Sequence, residues 1–279
     1  FFFKQKTAYE IKECDWSSDV CTSDLAAHRG ARSGAEGAMS RKQVTEDDEY
    51  DRIKVIADSL HKLRPIRLDS IYNGADDGGS GTVALLEIAE AFAKGTGKPK
   101  RSVLFVFHAG EEAGLLGSRY FVDHPTVPVD QIVAQLNIDM IGRNRDNKNS
   151  EANVVYLVGS DRISTELHQL NEQANASLQR PLTLDYTLND PADVESLYTR
   201  SDHYSYAAKG IPIAFFTTGL HKDYHKVSDT VDKITFPKMA RIAQLVYEAG
   251  FNIADSDKVL TRDNKGPRTG FGTKAEIIK

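Results

Sequence analysis

Asp76 and Asp77 stand side by side in a Gly-rich turn, and Glu111 and Glu112 follow an apolar run after three residues. Asp139 closes a second apolar run, and His221 and His225 follow a third. If the fold gathers these groups, withdrawing each ion from water costs several kcal/mol and the carboxylates repel one another. Protonation or a multivalent cation relieves that cost. Asp, Glu and His ligands without Cys suit zinc, with cobalt or manganese as substitutes. A shared aspartate can bridge two metals about 3.5–4 Å apart, an arrangement suited to hydrolysis. The adjacent glutamates fit a division of labour, because neighbouring side chains in a turning backbone point apart. One can bind metal while the other takes a proton from water whose pKa the metal lowers to about 7 and passes it to a leaving amine. That chemistry is peptide hydrolysis by metal-activated water.

The elements needed to position these groups follow from the apolar pattern. Val83, Leu85, Leu86, Ile88, Ala89 and Phe92 predict a helix with one broad apolar face, and Ser80 and Gly81 stand at its start. Residues 103–107 form a short continuous apolar run, as for a strand covered on both faces. Further strands are expected at 132–138, 154–158 and 211–216, with an edge strand at 182–186. Helices are expected at 114–121, 163–176 and 238–253, the second starting near Ser160 or Asp161. Alternating strands and helices predict an α/β fold, a three-layer α/β/α sandwich with a mixed, mostly parallel sheet. Ligands in open α/β sheets bind beyond the carboxyl ends of the strands. The acidic and histidine residues fall at those ends.

The 279 residues suit one large α/β domain or two small ones, and the −5 net charge argues against a nucleic-acid surface or an anionic-membrane binder. No apolar run approaches the roughly 20 residues of a membrane span. The two cysteines, Cys14 and Cys21, lie near the start, so a disulfide framework or thiolate metal site is excluded from the rest. Residues 1–25 read as a translated sequencing adapter, expected to take no part in the fold. Residues 26–68 are unassigned, a possibly corrupted start of the domain. The catalytic domain is expected over 69–256, with a polar, loosely held tail over 257–279.

Five motifs carry a family resemblance: NGADDGGSG at 73–81, HAGEEAGLLGS at 108–118, LNIDMIG at 136–142, YTRSDH at 198–203 and DYHKVSD at 223–229. Together, and in this order, they resemble the co-catalytic di-zinc aminopeptidase family, whose relatives include glutamate carboxypeptidase, the transferrin-receptor ectodomain and glutaminyl cyclases. The resemblance implies a zinc-dependent exopeptidase acting on the N-terminal bond of peptides, exported from the cell, with an oligomeric state it leaves open. It makes Asp77 the bridging ligand with Asp76 in support, Glu111 the general base, Glu112 and His225 ligands of the first metal, and Asp139 a ligand of the second. Tyr198 matches a position whose phenol could bond the developing oxyanion. The family pattern also has a His-x-Asp upstream of NGADD. Here His28 precedes Arg29-Gly30 and His61 precedes Lys62-Leu63, so the second metal site is expected to be incomplete, through a local reading-frame or assembly error.

The rival readings are a non-catalytic binding domain on the same fold and a glutaminyl cyclase-like acyltransferase. A serine hydrolase is set aside, because Gly-Gly-Ser-Gly-Thr lacks the last glycine of a nucleophile elbow. His108, His203 and His221 are expected to support the site rather than bind metal.

Overall fold

The computed structural model describes residues 71–264. The expectations for residues 1–25 and 26–68, for His28 and His61, and for the tail beyond 264 lie outside the described residues.

Four strands form one sheet in the order β1-β4-β2-β3, with β1 at Gln135–Ile138, β2 at Val154–Val158, β3 at Thr183–Asp185 and β4 at Ile213–Thr217. β1 runs parallel to β4 and β3 parallel to β2, while β2 and β4 are antiparallel. Five helices surround it: α1 Gly79–Lys94, α2 Leu116–Asp123, α3 Thr165–Ser177, α4 His203–Ala208 and α5 Phe236–Asp255.

β4 shows why the sheet is sandwiched. All five of its residues are buried. Ala214 and Phe216 enter the cluster built by α1, α3 and α5, whereas Ile213 and Phe215 enter the one built by α2 and α4. Burying side chains of this size contributes about 1.5–3 kcal/mol each. The mixed, mostly parallel sheet between helical layers is the expected fold class.

Two local expectations need correcting. Residues 103–107 join no ladder among the described residues, and only Val103 is buried. A strand needs a neighbour to take its backbone hydrogen bonds. β1 is bonded to β4, and a cavity of about 140 Å³ is lined both by β1 and by Leu104, Val106, Phe107 and His108. The start of α3 also differs. The chain leaves β2 through Gly159, whose φ of 78° belongs to a turn, and the helix begins only afterwards. Ser164 is therefore the N-cap, accepting the Leu167 N–H at 3.2 Å. Ser160 instead meets His168 Nδ1, and Asp161 accepts from Asn189.

The first part of the expected loose tail is tied down. Leu260 is buried in the larger core, and Asp263 accepts the Thr165 N–H at the start of α3. No helix among the described residues is long and apolar enough to cross a membrane.

Candidate metal centre

The segments that carry the acidic and histidine residues converge beyond the carboxyl ends of β1 and β4. The NGADD turn runs into α1, and Gly81 presses so closely on the Ile138 carbonyl that a Cβ would collide with it. Asp77 is thereby set against the end of β1, where Asp139 follows directly. The loop after β4 brings His225 to the same place.

His225 Nε2 lies 2.8 Å from Glu112 Oε1 and 3.1 Å from Asp77 Oδ2. The candidate ligand atoms of Asp77, Glu112 and His225 all fall within 4.8 Å of one another. Burial works against the charged imidazole, but hydrogen bonds and negative charge from Asp77 and Glu112 outweigh it, raising the His225 pKa to about 9. An imidazolium between two carboxylates is the protonic answer to a charge that a divalent cation also answers, so the donor set fits a metal.

Asp139 lines a cavity with Asp77 and Glu112 but is not part of that triad. Ser201 donates to its Oδ2 at 2.9 Å and is itself held by Asn137. The other oxygen, Oδ1, is buried with no hydrogen-bond partner among the described residues. Burial and the charge of Asp77 push the Asp139 carboxyl well above its usual range, with the Ser201 hydroxyl opposing them. An orphaned buried carboxylate oxygen beside Asp77 fits a second cation.

Glu111 lines the cavity with Asp77, Glu112 and Asp139, and its carboxylate takes no hydrogen bond from the described residues. Burial first, then the charges of Asp139, Glu112, Asp202 and Asp77, raise its pKa to about 10. It is the uncommitted carboxylate of the group.

Backbone strain marks the same spot. His225 and Met140, the latter directly after Asp139, have φ of 56° and 55°. Left-handed conformations of this kind cost about 1–3 kcal/mol and persist where their surroundings enforce them.

Tyr198 is placed elsewhere. Its ring lies in the α2–α4 cluster with the Arg162 guanidinium 4.0 Å above it, and it lines neither cavity near the carboxylates. Tyr224 does, in a smaller cavity with Asp77, Glu111, Glu112 and Asp139. It stacks on His225 with centroids 3.7 Å apart and accepts from Arg200 at 3.2 Å. Its position directly before His225 was the available signal. His108 contacts the Tyr206 hydroxyl at 2.9 Å, and burial lowers its pKa to about 4. His203 stacks on Phe215 and donates to the Tyr198 carbonyl.

Residues 51–250 match the family model described as Peptidase family M28. The chain belongs to that family. Among its M28 relatives, the probable leucine aminopeptidase of Arthroderma otae is 31% identical over 189 residues, 65% of this chain and 48% of the relative. An aminopeptidase from Aneurinibacillus sp. strain AM-1 superposes with a TM-score of 0.54 at 26% identity, over 67% of this chain and 41% of that one. The zinc aminopeptidase of Bacillus subtilis shares the fold, with a TM-score of 0.54 at 23% identity over 69% and 46% of the two chains. The chain spans about half the length of the curated M28 relatives it matches.

Proposed function

We propose that this M28 chain forms the catalytic portion of a zinc-dependent aminopeptidase acting on the N-terminal bond of peptides. One observation carries the reading: Asp77, Glu112 and His225 converge within 4.8 Å, with Glu111 lining a cavity beside Asp77 and Glu112. Asp77, Glu112 and His225 would hold one ion, and Asp77 with Asp139 would contribute to a second.

Zinc, when bound, supplies Lewis acidity that polarises a carbonyl and makes water easier to deprotonate. Glu111 accepts the proton of the attacking water and delivers it to the leaving amine. Its pKa of about 10 belongs to an uncompensated acidic cluster, and positive charge at the neighbouring ligands brings it back to a working base. The Tyr224 phenol, beside these carboxylates, is placed to hydrogen-bond the developing oxyanion, which favours it over Tyr198 for that role.

Metal content and an aminoacyl-anilide assay test the proposal together. Glu111→Gln is expected to retain zinc and lose roughly 10²–10⁴-fold in rate, the usual worth of a positioned proton carrier. Full activity in that variant would remove Glu111 from its role. A chain that takes up no zinc would overturn the whole reading.

A further inference from the structure

Asp76 is adjacent to Asp77 yet lines neither cavity, and it is fully buried. Burying a carboxylate next to other carboxylates is costly unless its oxygens are engaged. Its Oδ1 accepts the Ser80 hydroxyl at 2.7 Å and the Gly142 N–H at 2.6 Å. Its Oδ2 lies 3.2 Å from His221 Nε2, a close polar contact outside good hydrogen-bond geometry. The Asp223 N–H donates to His221 Nδ1 at 3.2 Å, so a neutral ring carries its proton on Nε2, facing Asp76.

These partners belong to different segments. Ser80 opens α1, Gly142 follows Asp139 by three residues, and His221 precedes His225 by four. Asp229 closes the arrangement from below. Its Oδ2 accepts the Asp76 and Asp77 N–H groups at 3.0 and 3.1 Å, while its Oδ1 stands 3.9 Å from Arg143. Arg143 is in turn paired with Asp223 at 2.9 Å.

We propose that Asp76, held by Ser80, Gly142 and Asp229 and set against His221, is a positioning residue that locks the segments bearing Asp77, Asp139 and His225 into one geometry for metal. The inference rests on the aminopeptidase reading of the site. Asp76 touches neither metal nor substrate. It sets where three ligands stand before an ion arrives, as partners behind metal ligands do elsewhere.

His221→Leu and His221→Gln in the full chain test it, with zinc affinity from chelator competition and the visible spectrum of the cobalt form. The leucine variant is expected to weaken zinc binding roughly 10–100-fold and shift the cobalt bands. The glutamine variant, which keeps an N–H donor, is expected to recover most of both. Should the leucine variant fail to fold, Ser80→Ala removes one donor to Asp76 without added bulk. That change should weaken zinc roughly two- to tenfold and shift the same bands. A folded His221→Leu or Ser80→Ala protein with parental affinity and spectrum overturns the inference, whatever its melting temperature. If the parent chain binds no metal, the proposed function falls and takes this inference with it. If the parent binds and the variants match it, only the inference falls.

Discussion

The ligand-bearing segments of this site are held in two different ways. The Asp77, Asp139 and His225 segments are bound to one another through Asp76 and Asp229, by contacts that span 66 to 153 positions of chain. The Glu111–Glu112 segment turns on itself, the Gly110 carbonyl accepting the Ala113 and Leu116 amides and the Glu111 carbonyl the Gly114 and Leu115 amides. Its side chains reach the rest through Glu112 to His225 at 2.8 Å, Ser118 to Ser205 and His108 to Tyr206. The first group forms a preset frame. The second joins it through a contact between two candidate ligands.

Asp76→Ala should attack the frame most severely. It leaves the buried Gly142 N–H without its acceptor, takes the carboxylate from the Ser80 hydroxyl, which keeps the Asp76 carbonyl, and removes the close contact to His221, an unsatisfied buried group being worth about 1–3 kcal/mol. A total loss of about 3–5 kcal/mol is expected from urea denaturation, and a loss under 1 kcal/mol would show that the segments are not interdependent.

The next effect concerns protons and is read in chelator. The folded state raises Glu111 to about 10 and His225 to about 9, so it binds protons more tightly than the unfolded chain. Both contributions are present at low pH. The His225 part is lost between its ordinary value of 6.5 and about 9, and the Glu111 part between 4.5 and about 10. The urea midpoint should therefore fall from pH 6 to pH 9, and saturating zinc should flatten that fall. Zinc affinity itself should rise at least about tenfold per pH unit between pH 6 and 8, because the ion displaces the His225 proton and lowers the pKa of Glu111. A pH-independent affinity would mean that His225 is not a ligand.

The smallest effect belongs to the Glu111–Glu112 side. Tyr206→Phe removes the hydroxyl that meets His108, at a cost of about 1 kcal/mol in stability and none in zinc affinity. Weaker zinc in that variant would extend the frame to the Glu111–Glu112 segment.

Much of this fold was legible because its signals are local. The run at 154–158 coincides with β2, and the apolar stripe of 238–253 lies within α5. α4 escaped because HYSYAA is too short to show a periodic stripe, and 103–107 joins no ladder among the described residues, which an apolar run alone does not reveal. In the site, Asp77 drew notice in a Gly-rich turn, and Glu111, Glu112, Asp139 and His225 through their places after apolar runs. Asp229 could not, since its role is to accept two amides more than 150 residues away, and nothing adjacent to it records that. Ser201, which orients Asp139 across 62 residues, was hidden for the same reason.

The hydrogen bond from the Asp223 amide to His221 Nδ1 has a spectroscopic consequence. A ring confined to one tautomer holds one nitrogen in a pyridine-like state and the other in a pyrrole-like state, with no averaging between them. Nitrogen-15 resonances of His221 should stay widely separated, whereas those of a freely exchanging surface imidazole would draw together. The buried scaffold can thus be watched through this one side chain, with neither ion nor substrate in the tube.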